Sequence, residues 1–187
     1  MRILGVDPGL TRCGIGVVDV EGRRARLVSV SVAATPGSWE TPQRLAAIAD
    51  ALDAVIAAFK PDAVALERVF AQHNVRTVMG TAQASGVVML AAERAGLSLN
   101  LYTPSEVKAA VTGDGRAAKA QVGFMVAKIL GLADAPKPAD AADALAIAIT
   151  HGWRGRAPGV ATSAQERWVA AERAAKGADR GAASRRP

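Results

Sequence analysis

The sequence predicts an α/β protein: a five-stranded mixed sheet with helices on both faces. Three observations lead there. Five short runs rich in Val, Ile and Leu are bounded by turn signals, as buried strands are. The longer stretches between and after them carry apolar residues at helical spacing. A helix separates the third run from the fourth, so the fourth strand is expected to return parallel to the first and beside it. At 187 residues, the length suits one full domain and is short for two.

Ile3, Leu4 and Val6 form an apolar run too short for a helix and stopped by Pro8-Gly9, which reads as a strand ending in a tight turn. Cys13 to Val20 reads as a second strand, and Arg26 to Ala34 as a third, completing an antiparallel meander. Thr41-Pro42 opens a helix, with Thr41 expected as N-cap and Pro42 in the first helical position. Leu45, Ile48, Leu52, Val55, Ile56 and Phe59 give that helix one apolar face, and Lys60-Pro61 ends it. Ala63 to Leu66 is the fourth strand, ending in Glu67. After a loop through Asn74, Val75 to Ala95 is a long helix whose middle, Gly80 to Gly86, is built from small residues. Glycine weakens a helix, so another backbone is expected to come close there, either the protein's own sheet or a second subunit.

Leu97 to Tyr102 is the fifth strand. Thr103-Pro104-Ser105-Glu106 is a capping box that starts a helix carrying Lys108 and stopping at Thr112-Gly113. Asp114 to Arg116 is a turn, and Ala117 to Leu130 a further helix with Lys119 in its first turn. A Pro-rich loop then leads to a last helix starting near Ala139. Residues 1–153 are expected to form one domain. Residues 154–187, rich in Ala, Gly, Arg and Ser, are expected to be a mostly disordered basic tail, with a capping box at Ser163–Glu166 that could start a short helix over 163–176.

The net charge is +6, and residues 154–187 carry +5 of it. The high isoelectric point is therefore mainly a property of the tail; it hints at nucleic acid without making the body a binder. No run of about 18 apolar residues exists, so no membrane span is expected. The chain opens directly on a core strand, so a cytoplasmic, unprocessed protein is expected. The single cysteine, Cys13, reads as a small buried strand residue.

Four carboxylates share a logic. Asp7 and Glu67 each sit where a buried strand stops, and parallel neighbouring strands would bring them side by side. Two carboxylates that close repel unless a cation or a proton lies between them. Asp140 and Asp143 are spaced i, i+3 in the first turn of the last helix, on the face that continues as Ile147. Acids at a helix start are common, but not on its apolar side. No Cys or His cluster accompanies them, so zinc is not expected; an all-oxygen set suits Mg²⁺ or Mn²⁺. Two such ions about 4 Å apart can activate water and stabilise the leaving oxygen of a phosphodiester.

The motifs Gly5-Val-Asp-Pro-Gly-Leu10 with Gly14-Ile-Gly16, Glu67-Arg-Val-Phe70, Lys119 with Gln121-Val122, and Asp140-Ala-Ala-Asp-Ala-Leu-Ala-Ile-Ala-Ile-Thr-His151 together resemble the RuvC family of bacterial Holliday junction resolvases, within the RNase H and integrase superfamily. The resemblance covers about residues 1–152. It implies an RNase H-like fold and metal-dependent nicking of two symmetric strands at four-way DNA junctions, in recombination and repair. Asp7, Glu67, Asp140 and Asp143 match the catalytic acids, which would hold two Mg²⁺ per subunit, with Mn²⁺ as a substitute. Phe70 matches an aromatic that stacks on a base near the junction centre. Lys108 and Lys119 match basic residues near the scissile phosphate. Arg76 and Arg116 are further phosphate candidates, on the weaker ground that they lie near helix starts. The resemblance also implies a homodimer and cooperation with the RuvA and RuvB branch-migration proteins.

Three other readings stay open on the sequence. Asp7-Pro-Gly-Leu-Thr11 also resembles the phosphate loop of sugar-kinase and actin-like ATPases, which need two such domains. A non-catalytic DNA-binding module would live off the basic tail. A nuclease for RNA–DNA hybrids would use the same acids.

Overall fold

The structure, a computed structural model, describes residues 1–69 and 75–154, without the side chains of residues 75 and 76. Phe70, His73 and the expected helix over 163–176 lie outside the described residues.

Ten elements follow in order: β1 (Arg2–Asp7), β2 (Arg12–Glu21), β3 (Arg24–Ala34), α1 (Thr41–Phe59), β4 (Ala63–Glu67), α2 (Val75–Arg94), β5 (Ser98–Tyr102), α3 (Pro104–Thr112), α4 (Lys119–Leu130) and α5 (Ala139–Arg154). The five strands make one sheet in the order β3-β2-β1-β4-β5. β1, β2 and β3 are antiparallel neighbours, and β4 runs parallel to both β1 and β5. The expected mixed sheet is therefore present, with the expected parallel return.

Strand alternation divides the core in two. Leu4, Val6, Val64 and Leu66 point to the face covered by Ile48 and Leu52 of α1 and Ala84 and Val88 of α2. Ile3, Val18 and Ala65 point to the other face, against α3, α4 and α5. α5 lies deepest: Leu145, Ile147 and Ile149 are fully buried, with the sheet on one side and the α3 and α4 residues Val107, Val111, Val122 and Val126 in the same cluster. A helix enclosed on all sides reads apolar all round, which explains the Ala-Ile-Leu run after Asp143.

The closeness of α5 to the sheet depends on glycine. Gly5 and Gly16 are register partners on β1 and β2, and Gly14 lies opposite Asp7. A Cβ on Gly5 would run into the backbone oxygen of Ala144 and lie 2.6 Å from the nitrogen of Ala148. A Cβ on Gly14 would run into the backbone oxygen of Asp140. Bare backbone in the strands thus lets the helix backbone rest directly on the sheet.

Two boundaries differ from expectation. The cap of α1 is Glu40 rather than Thr41, because the Glu40 N–H donates to Gln43 Oε1 (3.0 Å), as in a capping box. α4 begins at Lys119 rather than Ala117, because Ala117 is committed to the preceding turn through its N–H to the Asp114 oxygen (3.2 Å) and Ala118 is extended. The small-residue stretch of α2 serves two sides. Gly80 packs on Leu10 of its own body, whereas a Cβ on Gly86 would meet nothing within 4 Å.

Candidate active site

Asp7 ends β1 and Glu67 ends β4. By alternation, Asp7 shares a face with Ile3 and Gly5, and Glu67 shares one with Ala63 and Ala65. Both rows face α5. Val6 is the parallel partner of Leu66, so the two carboxylates leave the sheet side by side. The Gly14–Asp140 approach seats the first turn of α5 over β2 beside Asp7. Asp143 follows three residues on, with side-chain exposures of 18% for Asp140 and 21% for Asp143. The four expected acids, drawn from two strands and one helix, therefore meet at one end of the sheet.

Their electrostatics report the crowding. Burial first, then the charges of Glu67, Asp143 and Asp140, push the Asp7 carboxyl up to about 7, against the opposing pull of Lys119. Burial and Asp143 raise Glu67 as well, opposed by Lys119 and Lys108. Lys119 Nζ lies 2.6 Å from Asp143 Oδ2, and this hydrogen bond holds the lysine above its ordinary range. Arg12 Nε lies 2.9 Å from Asp140 Oδ2 but out of line, so that buried oxygen receives no hydrogen bond.

Asp7, Glu67, Asp143, Lys108 and Lys119 line one cleft of about 250 Å³. Among the described residues, no three acids are already drawn into a closed ligand set. Lys119 and Arg12 hold the α5 carboxylates instead. The donor set nonetheless fits a hard divalent cation on three grounds: every donor is a carboxylate oxygen, the carboxylates repel one another, and one buried oxygen lacks a donor.

Lys108 and Lys119 both line the cleft of the acids. Arg116 is exposed on the turn between α3 and α4, its N–H bonded to Asp114 Oδ1 (2.8 Å), and lines neither this cleft nor the larger cavity beside Asp140. Arg76 lies in the first turn of α2. His151 is buried and shares a 2.8 Å hydrogen bond with the Tyr102 hydroxyl, which ties the end of α5 to β5. Burial pushes the Cys13 thiol up to about 12, as an inert core residue requires. Arg12 was missed. Its signal was its position: it starts β2 two residues before Gly14, and Gly14 pairs with Asp7.

This sheet order, with acids ending the two central parallel strands and facing a helix that carries two more, defines an RNase H-like fold. A family profile described as "Crossover junction endodeoxyribonuclease RuvC" matches residues 3–151. A protein of that name from Parafrankia sp. (strain EAN1pec) is 65% identical over 158 residues, covering 84% of this chain and 89% of its own. One from Saccharopolyspora erythraea is 59% identical over 174 residues, covering 92% and 87%. The solved structure of Thermus thermophilus RuvC in complex with Holliday junction substrate superposes with a TM-score of 0.80 at 41% identity, covering 83% of this chain and 95% of that one. The chain belongs to the RuvC family of crossover junction endodeoxyribonucleases.

Proposed function

We propose that this protein resolves four-way DNA junctions by nicking two symmetric strands in a magnesium-dependent reaction. The observation that carries the reading is the convergence of Asp7, Glu67, Asp140 and Asp143 at one end of the sheet, in a chain whose T. thermophilus relative was solved with a Holliday junction. Bound at these acids, two Mg²⁺ per subunit, or Mn²⁺ in their place, would supply the charge that activates water and stabilises the leaving oxygen. The rest is the work of the chain. The strand ends of β1 and β4 fix Asp7 and Glu67 on rigid backbone. α5 sets Asp140 and Asp143 against them at a distance governed by Gly14. Lys119 and Lys108 offset the negative charge that develops on the phosphate under attack. Phe70, three residues beyond Glu67 in sequence, is assigned the stacking on an unpaired base. Arg76 and Arg116 are assigned contacts with DNA outside the cleft.

The substrate favours a dimer. A four-way junction has approximate two-fold symmetry, and an isologous dimer would place one cleft on each of two strands. Helix α2 offers a surface for the second copy. Met79, Ala82, Gly86, Met89 and Leu90 recur at helical spacing on its exposed side, with Met79 55% and Leu90 50% exposed. Leu90→Glu is expected to convert the dimer to monomer in sedimentation and to uncouple the two nicks. It should change the stability of the domain by less than about 0.5 kcal/mol, as surface substitutions do. A Leu90→Glu protein that sediments and nicks like the parent would move the interface elsewhere. The dimer is taken to work with RuvA and RuvB on cytoplasmic DNA; among the described residues no helix is long and apolar enough to cross a membrane.

The test is cleavage of a labelled, immobile four-way junction by the full chain in Mg²⁺, beside duplex, single-strand and RNA–DNA hybrid substrates. Paired symmetric nicks confined to the junction and lost in chelator are expected. A cut hybrid with an intact junction would keep the acids in place and move the substrate to RNA.

A further inference from the structure

A second cavity, larger than the cleft of the acids, also borders one of the four carboxylates. It is lined in part by Asp140, encloses about 610 Å³, and is bounded by the β1–β2 turn, the start of α1 and the first half of α2. Thr11, Arg12, Thr41, Arg44, Gln83 and Asp140 line it.

Arg44 is its fixed point. Its Nε donates to Thr35 Oγ1 at 2.9 Å and its Nη2 to Thr11 Oγ1 at 2.8 Å. Thr35 is only 4% exposed and donates its own proton to the Leu10 oxygen, so it is held in place. The guanidinium is thus positioned by two neutral hydroxyls and pairs with no carboxylate among the described residues. An arginine fixed by neutral acceptors keeps its full charge for an anion. Thr11 accepts from Arg44 and still has a hydroxyl proton to give. Arg12 supplies a second cation: its side chain is 61% exposed, and its contact with Asp140 is out of line.

We infer that this cavity seats a backbone phosphodiester of the DNA strand, one side of the cut, gripped by Arg44, Thr11 and Arg12. The inference rests on the junction-cleavage reading above and extends it to a second binding position. A strand that brings one phosphate to a cleft of carboxylates meets repulsion there. A cationic pocket beside Asp140 offsets that repulsion and fixes the register of the strand across the acids. The volume exceeds that of a phosphate alone and leaves room for the attached sugar. A free phosphate or nucleotide would use the same donors, and the measurements separate the two.

Junction binding by the full chain is measured in chelator, where no cutting occurs, over a series of salt concentrations. Arg44→Gln is expected to weaken binding on the order of tenfold at low salt and to reduce the slope of log affinity against log salt by about one. Arg44→Lys keeps the charge and is expected to retain the slope. Thr11→Val is expected to weaken binding with the slope unchanged. If Arg44 only ties α1 to the turn, Arg44→Gln and Arg44→Lys will lower the thermal midpoint alike and leave the slope untouched, which overturns the inference. Binding of ATP or inorganic phosphate that is lost in Arg44→Gln, with junction binding unaltered, overturns the DNA assignment. A parent protein that neither binds nor cuts junctions removes the proposed function and this inference with it. A parent that does both, beside an Arg44→Gln protein indistinguishable from it, removes only the inference.

Discussion

Asp7→Asn is expected to lower junction cleavage by about a thousandfold or more, some 4 kcal/mol of barrier, while junction binding stays within a few-fold of the parent. Asparagine keeps the size of the side chain and one oxygen, but loses the charge at the centre of the cluster. The same substitution is expected to stabilise the metal-free fold. The Asp7 carboxyl titrates near 7 in the folded protein, against an ordinary value of 3.8. Between those values the folded state holds a proton that the unfolded chain has released. The metal-free parent should therefore lose stability as pH rises from about 4 to about 7, and remain least stable above that window. Asparagine has no such proton, so the variant should lack that part of the slope and exceed the parent above pH 7 by up to about 4 kcal/mol. Denaturant melts at pH 5 and pH 8 in chelator, beside cleavage in Mg²⁺, check both halves. A variant that cuts at more than a tenth of the parent rate would take Asp7 out of the reaction.

The second large effect is on stability. Gly5→Ala and Gly14→Ala each add a methyl group where α5 backbone already stands. Nothing at the far end of a flexible side chain can yield, so the helix itself must shift. Each should cost about 3 kcal/mol or more, a fall in thermal midpoint of roughly 6–12 °C for a domain of this size. Gly14→Ala should also lose cleavage beyond its loss of fold, because the displaced backbone belongs to Asp140. Gly123→Ala is the control. Its Cβ would sit 3.5 Å from that of Ala135, an ordinary contact, and alanine favours the helix by up to about 1 kcal/mol. If Gly14→Ala melts like Gly123→Ala, α5 does not rest on the strands as described.

These glycines mark how far the sequence could be read. Asp7 and Glu67 were legible as neighbours, because a short strand, a helix and a second short strand leave few arrangements. Asp140 and Asp143 were legible as inward-facing, because Ile147 continues their face. The seating of α5 was not legible. Only the register aligns Gly5, Gly14 and Gly16 under one helix. The ambiguity of Gly80 and Gly86 was of the same kind: both lie on α2, but one meets Leu10 and the other open space. Arg44 escaped notice because its partners, Thr11 and Thr35, are neutral and lie outside its helix. Local pattern finds faces and caps; close approach between distant backbones depends on register, which a single sequence does not display.

The depth of α5 has a consequence for synthesis. Asp140 follows Asp7 by 133 positions along the chain, so it leaves the ribosome well after it. β1, β4 and their neighbours can form while the chain is still growing, but half of the carboxylate set arrives with α5, the last described element to emerge. On the proposed function, a nascent chain with its sheet already in place therefore lacks half of its metal-binding acids. It would gain the other half only when its glycine-floored slot has been filled.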